Sequence, residues 1–394
     1  MPAANGRIHV ALVVTRFMAG AGGVALRGAL ALDPDRFSIT VLAAAEGSLL
    51  QDAAKAGIRV IPLRHMKPQI APREDVAAVR EVAAHLEAGG YQVVHTHSAK
   101  AGLVGRLAAR WHRVPAIVHT FHGFPFHAYQ SPLRRRVYIG IERALGRITD
   151  QFLAVGSAVA AEAVRLGIAP AEKIRTIGSA IDAIQPATPS ARYEARRLIG
   201  IPVNARIAGT VGRMDFQKSP TDMLDAFRRL EPDVHFVWIG SGPLLEKMTR
   251  LVAESGLSDR FHLLGERRDV AELLPAFDVF AMASLYEGIP CSVVEAMTCG
   301  IPVVATAVNS VPEVVVPGRT GLLVAPAKPD QLARAIQHLL NRPDLGSRLS
   351  AAARANLGDK FHVDVLGIDL TETYLSALDG NAQIAPASQV AMTA

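Results

Sequence analysis

The chain holds two cysteines in 394 residues, Cys291 and Cys299. They stand eight apart, with no CxxC pair and no neighbouring histidine, which excludes a disulfide framework and a zinc set. Reduced thiols in a cytoplasmic protein are the expectation. Long apolar runs are also missing: nothing approaches the ~18 uninterrupted residues of a membrane span. The first run, Ile8 to Val14, follows Arg7 directly and ends before Arg16, so it reads as neither a signal peptide nor an anchor. No DxD-like pair closes a strand, so no metal and no cofactor is expected.

What is present suits a folded protein. Half the residues are hydrophobic and glycine and proline are scattered. The length exceeds one comfortable core and fits two lobes of roughly 150–200 residues. Charge is unequal along the chain. Residues 1–190 carry 22 Lys and Arg against 13 Asp and Glu (+9), and residues 191–394 carry 20 against 23 (−3). The first half is therefore expected to meet an anionic partner surface; no nucleic-acid motif occurs.

Short apolar runs recur at 7–15, 37–42, 58–63, 91–95, 115–120 and 151–155, separated by helical patterns. One is 72–89, with Val76, Val79, Val82, Ala83 and Leu86 on one face; another is 100–112, with Leu103, Val104 and Leu107. Such runs read as buried parallel strands, and their alternation with helices predicts a doubly wound α/β lobe over 1–182. The segment AIQPATPS breaks the pattern, placing a linker at 183–190. A second alternation, with strands near 205–211, 234–239, 260–264, 277–281 and 301–305, predicts another Rossmann-like lobe over 191–361. A helix at 362–379 follows, with the option of packing back on the first lobe, and 380–394 reads as a disordered tail. The expected fold class is thus α/β: two doubly wound lobes facing across a cleft.

In open α/β sheets ligands gather beyond the carboxyl ends of the strands. Four such loops carry the candidate chemistry. Gly20, Gly22 and Gly23 precede a helix expected to start near Val24, where bare amides can cradle a phosphate or simply form a tight turn. His119 to His127 (HTFHGFPFH) clusters imidazoles and aromatics beside Gly123. Gly212 to Lys218 (GRMDFQK) sets a guanidinium and an ammonium where a diphosphate leaving group would need them; a solvated basic turn is the plainer alternative. Ser284 to Met297 carries Glu287 and Glu295 eight apart, with Pro290 opening a helix over 290–299. Carboxylates accept hydrogen bonds from sugar hydroxyls, so the pair can grip a hexose and a ribose.

The E-x7-E element and the preceding G-R-x4-K resemble family four of the retaining GT-B glycosyltransferases, over nearly the whole chain. The resemblance implies that Arg213 and Lys218 bind the donor diphosphate, Glu287 the donor sugar and Glu295 the ribose. It sets His122 near the reacting carbon and Gly22 and Gly23 near the phosphates. Leu264, Gly288 and Ile289 complete the donor candidates. His97, Phe124, Phe126 and His127 are the acceptor-side candidates. The stretches HTHSAKAGLVGRLAAR and HTFHGFPF further resemble bacterial members that build surface polysaccharide or lipid-linked glycans. Two departures stand out: Ser219 where the family usually has glycine, and Ser179-Ala-Ile-Asp182 where it has Asn-Gly-Val-Asp.

The implied activity is metal-independent, retaining transfer of a hexose or N-acetylhexosamine from a nucleotide diphosphate sugar, UDP favoured, by front-face attack. The implied acceptor is a glycan or a polyprenyl-diphosphate-linked intermediate. Residues 131–149 read as an amphipathic helix, with Leu133, Val137, Ile141, Leu145 and Ile148 on one side and Arg136, Arg143 and Arg147 largely opposite. A basic face of that kind can rest on anionic lipid, making the enzyme peripheral to the inner membrane, or can be merely solvated. Two other functions share these features: a nucleotide-sugar epimerase, and a noncatalytic sugar-nucleotide sensor.

Overall fold

The computed structural model describes residues 6–18 and 20–382, with the helix alone given for 381 and 382. It divides into two compact units, one formed by the chain up to Ala180 and from His362 onward, the other by Ile181–Phe361. The first unit runs β1 (Ile8–Val14), α1 (Ala21–Ala31), β2 (Phe37–Ala44), α2 (Leu50–Lys55), β3 (Arg59–Leu63), α3 (Pro72–Gly89), β4 (Val93–His97), α4 (Ala99–Trp111), β5 (Ala116–Phe121), α5 (Pro132–Gly146), β6 (Gln151–Ala154), α6 (Ser157–Arg165) and β7 (Ile174–Thr176). The second runs α7 (Pro189–Ile199), β8 (Arg206–Val211), α8 (Pro220–Phe227), β9 (Val234–Ile239), α9 (Leu245–Glu254), β10 (Phe261–Leu263), α10 (Val270–Leu273), β11 (Val279–Met282), α11 (Cys291–Cys299), β12 (Val303–Thr306), β13 (Leu322–Val324), α12 (Pro329–Leu340) and α13 (Pro343–Leu357). The last helix, α14 (Val363–Ala382), belongs to the first unit.

Each sheet is wholly parallel. The first has the order β3-β2-β1-β4-β5-β6-β7 and the second β10-β9-β8-β11-β12-β13. Both faces of each sheet are covered, which is why β1 is almost continuously apolar and buried from Val10 to Val14. In both sheets the chain winds outward one way and then returns to wind the other way. The reversals fall between β1 and β4 and between β8 and β11, and loops beyond those strand ends are the natural binding positions of such a sheet. This is the GT-B fold expected from the sequence, described unit by unit.

Several local expectations need correction. The chain passes into the second unit at Ile181, just before the linker expected at 183–190, within which Ala187 donates its N–H to the Cys299 carbonyl at 2.8 Å and Pro189 already opens α7. The helix expected from Val24 begins at Ala21, so Gly22 and Gly23 form its first turn. The strand expected at 91–95 is Val93–His97, which puts both histidines of His-Thr-His into the sheet. Helix α14 continues to Ala382, past the expected end at 379, and the remainder of the tail expected over 380–394 lies outside the described residues.

Helix α5 meets the expectation in part: Leu145 is buried, Ile148 half-buried, and Arg136, Arg143 and Arg147 are exposed, but the buried side is rotated. Ile139, Glu142 and Leu145 face inward, while Leu133 (73 % exposed), Val137 (53 %) and Ile141 (37 %) face out. The cause is an ion pair. Arg106 of α4, fully buried, holds Glu142 at 2.8 Å, and a buried guanidinium without its carboxylate would be far costlier than an exposed leucine. Val76 and Leu107, counted on the inner faces of α3 and α4, are likewise exposed.

Candidate functional site

In the second unit the loops after β8 and β11 lie side by side because their strands are neighbours across the reversal. The first loop carries Arg213 and Lys218, the second Glu287. Lys218 Nζ reaches Glu287 Oε1 at 2.5 Å, and Gln217 Nε2 donates to Glu287 Oε2 at 3.2 Å and to the Tyr286 carbonyl at 2.9 Å. Burial holds the Tyr286 phenol above its ordinary value, so it stays protonated. Gly288, Ile289 and Pro290 are buried beside Glu287 and lead into α11, in which Glu295 is half-buried in the second turn. Arg213, Lys218, Glu287, Gly288 and Ile289 are thus gathered in one place.

Three residues that sequence reasoning passed over hold this arrangement. Asp215, 6 % exposed, accepts from Arg213 Nε at 2.7 Å and from the Lys218 backbone N–H at 3.2 Å. Gln217 bridges the two loops, its carbonyl also accepting from the Leu285 N–H at 2.8 Å. Asn309, beyond β12, accepts the Glu287 N–H on its side-chain oxygen at 3.0 Å from a left-handed backbone, φ +42°. Asp215 and Gln217 lie within the G-R-x4-K stretch and were legible as polar loop residues. Asn309 is 22 positions from its partner and gave no signal.

The loop also sits on the end of β9. Gly240 has φ +137°, and a Cβ there would come within 2.1 Å of the Gly212 carbonyl oxygen, so only glycine fits. Trp238 Nε1 donates to that same oxygen at 2.9 Å. Leu264 follows β10, and the Gly240 N–H is held by the Gly265 carbonyl at 2.7 Å, which ties the Leu264-Gly265-Glu266 turn to the loop floor. Ser219, the departure from the family's glycine, keeps a left-handed backbone, φ +47°, with its hydroxyl 2.6 Å from Asp222. The conformation that glycine normally serves survives the substitution.

In the first unit, Gly22 and Gly23 form the opening turn of α1, where amides have no intrahelical acceptor. Loop and strand ends are laced together: Thr15 Oγ1 lies 2.7 Å from Ser98 Oγ and accepts the Ala101 N–H at 3.0 Å. His122 follows β5 and bonds His97, the last residue of β4, at 2.9 Å. Burial pushes the His122 imidazole down to about 4, and holds His97 and His119 well below the ordinary histidine value, so all three are neutral near pH 7.

Two of the acceptor-side candidates are core side chains. Phe126, 6 % exposed, packs with Phe121, Ile139 and Phe152, and stacks on half-buried Phe124 at 4.7 Å. His97, 3 % exposed, is interior because β4 is a central strand covered on both faces. Phe124 and His127 keep partial exposure. Among the described residues, no three His, Cys, Asp or Glu side chains converge as a metal-binding group.

Comparison with known proteins agrees with this anatomy. Residues 192–356 match the model of glycosyl transferases group 1, and residues 19–180 match that of the glycosyl transferase 4-like domain. A D-inositol 3-phosphate glycosyltransferase of Xylanimonas cellulosilytica is 31% identical over 318 residues, covering 76% of each chain. The Escherichia coli UDP-Gal:alpha-D-GlcNAc-diphosphoundecaprenol alpha-1,3-galactosyltransferase is 27% identical, covering 78% of this chain and 82% of its own. Among solved structures, Anabaena Alr3699/HepE in complex with UDP and glucose superimposes with a TM-score of 0.80 at 22% identity, over 94% of this chain and 100% of the other. WaaG, a glycosyltransferase involved in lipopolysaccharide biosynthesis, does so with 0.72 at 18%, over 93% and 99%. The chain belongs to the family-four glycosyltransferases, retaining GT-B enzymes that draw on nucleotide-sugar donors.

Proposed function

We propose that this enzyme transfers a hexose or N-acetylhexosamine from a UDP-sugar to a lipid-linked or surface-glycan intermediate, with retention and without a metal. The observation that carries the donor half is the convergence of Arg213, Lys218 and Glu287 on adjacent loops at the reversal of the second sheet. Departure of a nucleoside diphosphate builds charge on the β-phosphate, and fixed cations stabilise it most when they need not reorganise. Asp215 supplies that fixation for Arg213, while Lys218 is held by Glu287. Glu287 then accepts from the sugar and Glu295 from the ribose, His122 contacts the sugar near the reacting carbon, and the Gly22-Gly23 turn serves the phosphates. With no side chain among the described residues placed as a covalent nucleophile, attack comes from the face the diphosphate leaves, whose oxygen takes the acceptor proton.

Lys218→Ala and Glu287→Ala are expected to lower kcat by about 10²–10³ with unchanged circular dichroism. Near-normal turnover in either purified variant would overturn the assignment. A thermal-shift series across UDP- and GDP-sugars identifies the donor, since a bound ligand raises the melting temperature by mass action. Product analysis on donor alone separates a transferase from an epimerase.

The lipid half of the reading draws on α5. Its outward side carries Leu133, Val137 and Ile141 beside Arg134, Arg136 and Arg143, and the helix's single acid, Glu142, is buried against Arg106. Apolar side chains among arginines without exposed acids suit the headgroup region of an anionic bilayer. Among the described residues no helix is long and apolar enough to cross a membrane, so attachment would be peripheral. Flotation with phosphatidylglycerol vesicles is expected, weakening as salt rises, and Leu133→Asp with Val137→Asp should abolish it. Equal absence from anionic and neutral vesicles removes the membrane claim and leaves the transferase untouched.

A further inference from the structure

His97 and His122 face each other nitrogen to nitrogen. Nδ1 of His97 lies 2.9 Å from Nε2 of His122, with the ring centroids 5.2 Å apart and the planes inclined by 29°. Between two neutral imidazoles only one of the facing nitrogens carries a proton, so two arrangements exist. In one, His97 donates from Nδ1 and its Nε2 keeps a lone pair. In the other, His122 donates and Nε2 of His97 carries an N–H.

The surroundings separate them. Nε2 of His97 is buried and has no hydrogen-bond partner among the described residues. Beside the ring is a void of about 10 Å³ bounded largely by aliphatic groups, among them Leu12, Val24, Ala25 and Leu370. Two of the hydroxyls on its wall are engaged by another ring: the Tyr374 hydroxyl and Thr120 Oγ1 each lie 2.7 Å from a nitrogen of His95. At about 10 Å³ the void is at the lower limit of the space a buried water needs. An orphaned N–H in such a place is the rarer and costlier defect, whereas a lone pair is tolerated. Burial opposes a second proton on either ring.

We propose that His97 is a positioning residue: it donates Nδ1–H to Nε2 of His122 and so fixes the His122 proton on Nδ1, presenting His122 to the donor sugar as a hydrogen-bond donor. This rests on the reading that His122 contacts that sugar. No bond is made or broken by the pair. What it supplies is a single tautomer set before the donor arrives, where a free imidazole would divide its population between two. The arrangement also explains an interior histidine on a central strand, a position an apolar residue would fill more cheaply.

The test is a long-range proton–nitrogen correlation spectrum of the full chain labelled with ¹⁵N-histidine, the His122 signals being assigned by their loss in His122→Ala. Protonated Nδ1 and bare Nε2 on His122 are expected. A His122 proton on Nε2 overturns the proposal directly. Two variants add a kinetic reading: His97→Asn keeps an N–H near the old Nδ1, and His97→Leu removes it. The first should hold the tautomer and keep kcat within about threefold, and the second should mix tautomers and lower kcat at least about tenfold with donor KM little changed. Equal kcat in the two variants overturns the proposal as well. If no nucleotide sugar is turned over even by the unaltered enzyme, the transferase reading falls, and the spectrum still decides whether His97 fixes the His122 proton on Nδ1.

Discussion

Asp215 holds the two cations on which the proposed donor site relies. Its carboxylate anchors a guanidinium whose side chain is 58 % exposed, and it also receives the Lys218 N–H, shaping the turn that delivers both cations. Asp215→Ala is expected to raise donor KM about tenfold, because Arg213 must then be ordered at the moment of binding. It should also cost about 1–2 kcal/mol of stability through the unpaired amide. Steady-state kinetics and a urea melt check the two effects, and an unchanged KM would mean that Arg213 is positioned by other contacts. The charged members of this site were legible because Arg213, Lys218, Glu287 and Glu295 lie in two short stretches after apolar runs. Asn309 was not, since its partnership with Glu287 exists only once β11 and β12 are paired.

At the scale of elements, the pairing of β4 with β5 brings His97 against His122, 25 positions along the chain. His95 is pushed down to about 3 and His122 to about 4 by burial, with His97 and His119 also well below the ordinary value near 6.5. Between pH of about 4 and 6.5 the unfolded chain therefore binds protons that the folded chain does not. Stability present in full above 6.5 is lost as pH falls through that window. The urea midpoint should drop steadily from about pH 7 to about pH 5, and His95→Gln should flatten the slope by up to about 1.4 kcal/mol per pH unit. A midpoint independent of pH over this range would show that the cluster is hydrated or charged in the fold. The facing of α5 belongs at this scale too: periodicity identified the helix and put Leu145 inward and the arginines outward, but Glu142 goes in against Arg106 while Leu133, Val137 and Ile141 face out.

For the molecule as a whole, the chain's last helix completes its first unit. Leu366, Leu370, Tyr374 and Ala377 of α14 are buried, and α14 comes so close to α1 that a Cβ on Gly28 would lie 2.6 Å from Leu370. Tyr374→Phe removes the hydroxyl partner of His95 Nδ1 and is expected to cost about 1–3 kcal/mol in a chemical melt. A chain ending at Phe361 should expose the α1 face and aggregate, and a well-folded truncated protein would show that α14 is dispensable to the unit. The sequence by itself determined the class of fold, the alternation of strand and helix, and the charged residues after the strands, because each rests on local periodicity or on a few adjacent positions. Tertiary structure alone decided which face of α5 is buried, that His97 and Phe126 are interior, and that Asp215, Gln217 and Asn309 hold the loops after β8 and β11 together. Those outcomes depend on pairing partners far apart in the chain, and desolvation attaches its cost only to groups that packing has already enclosed.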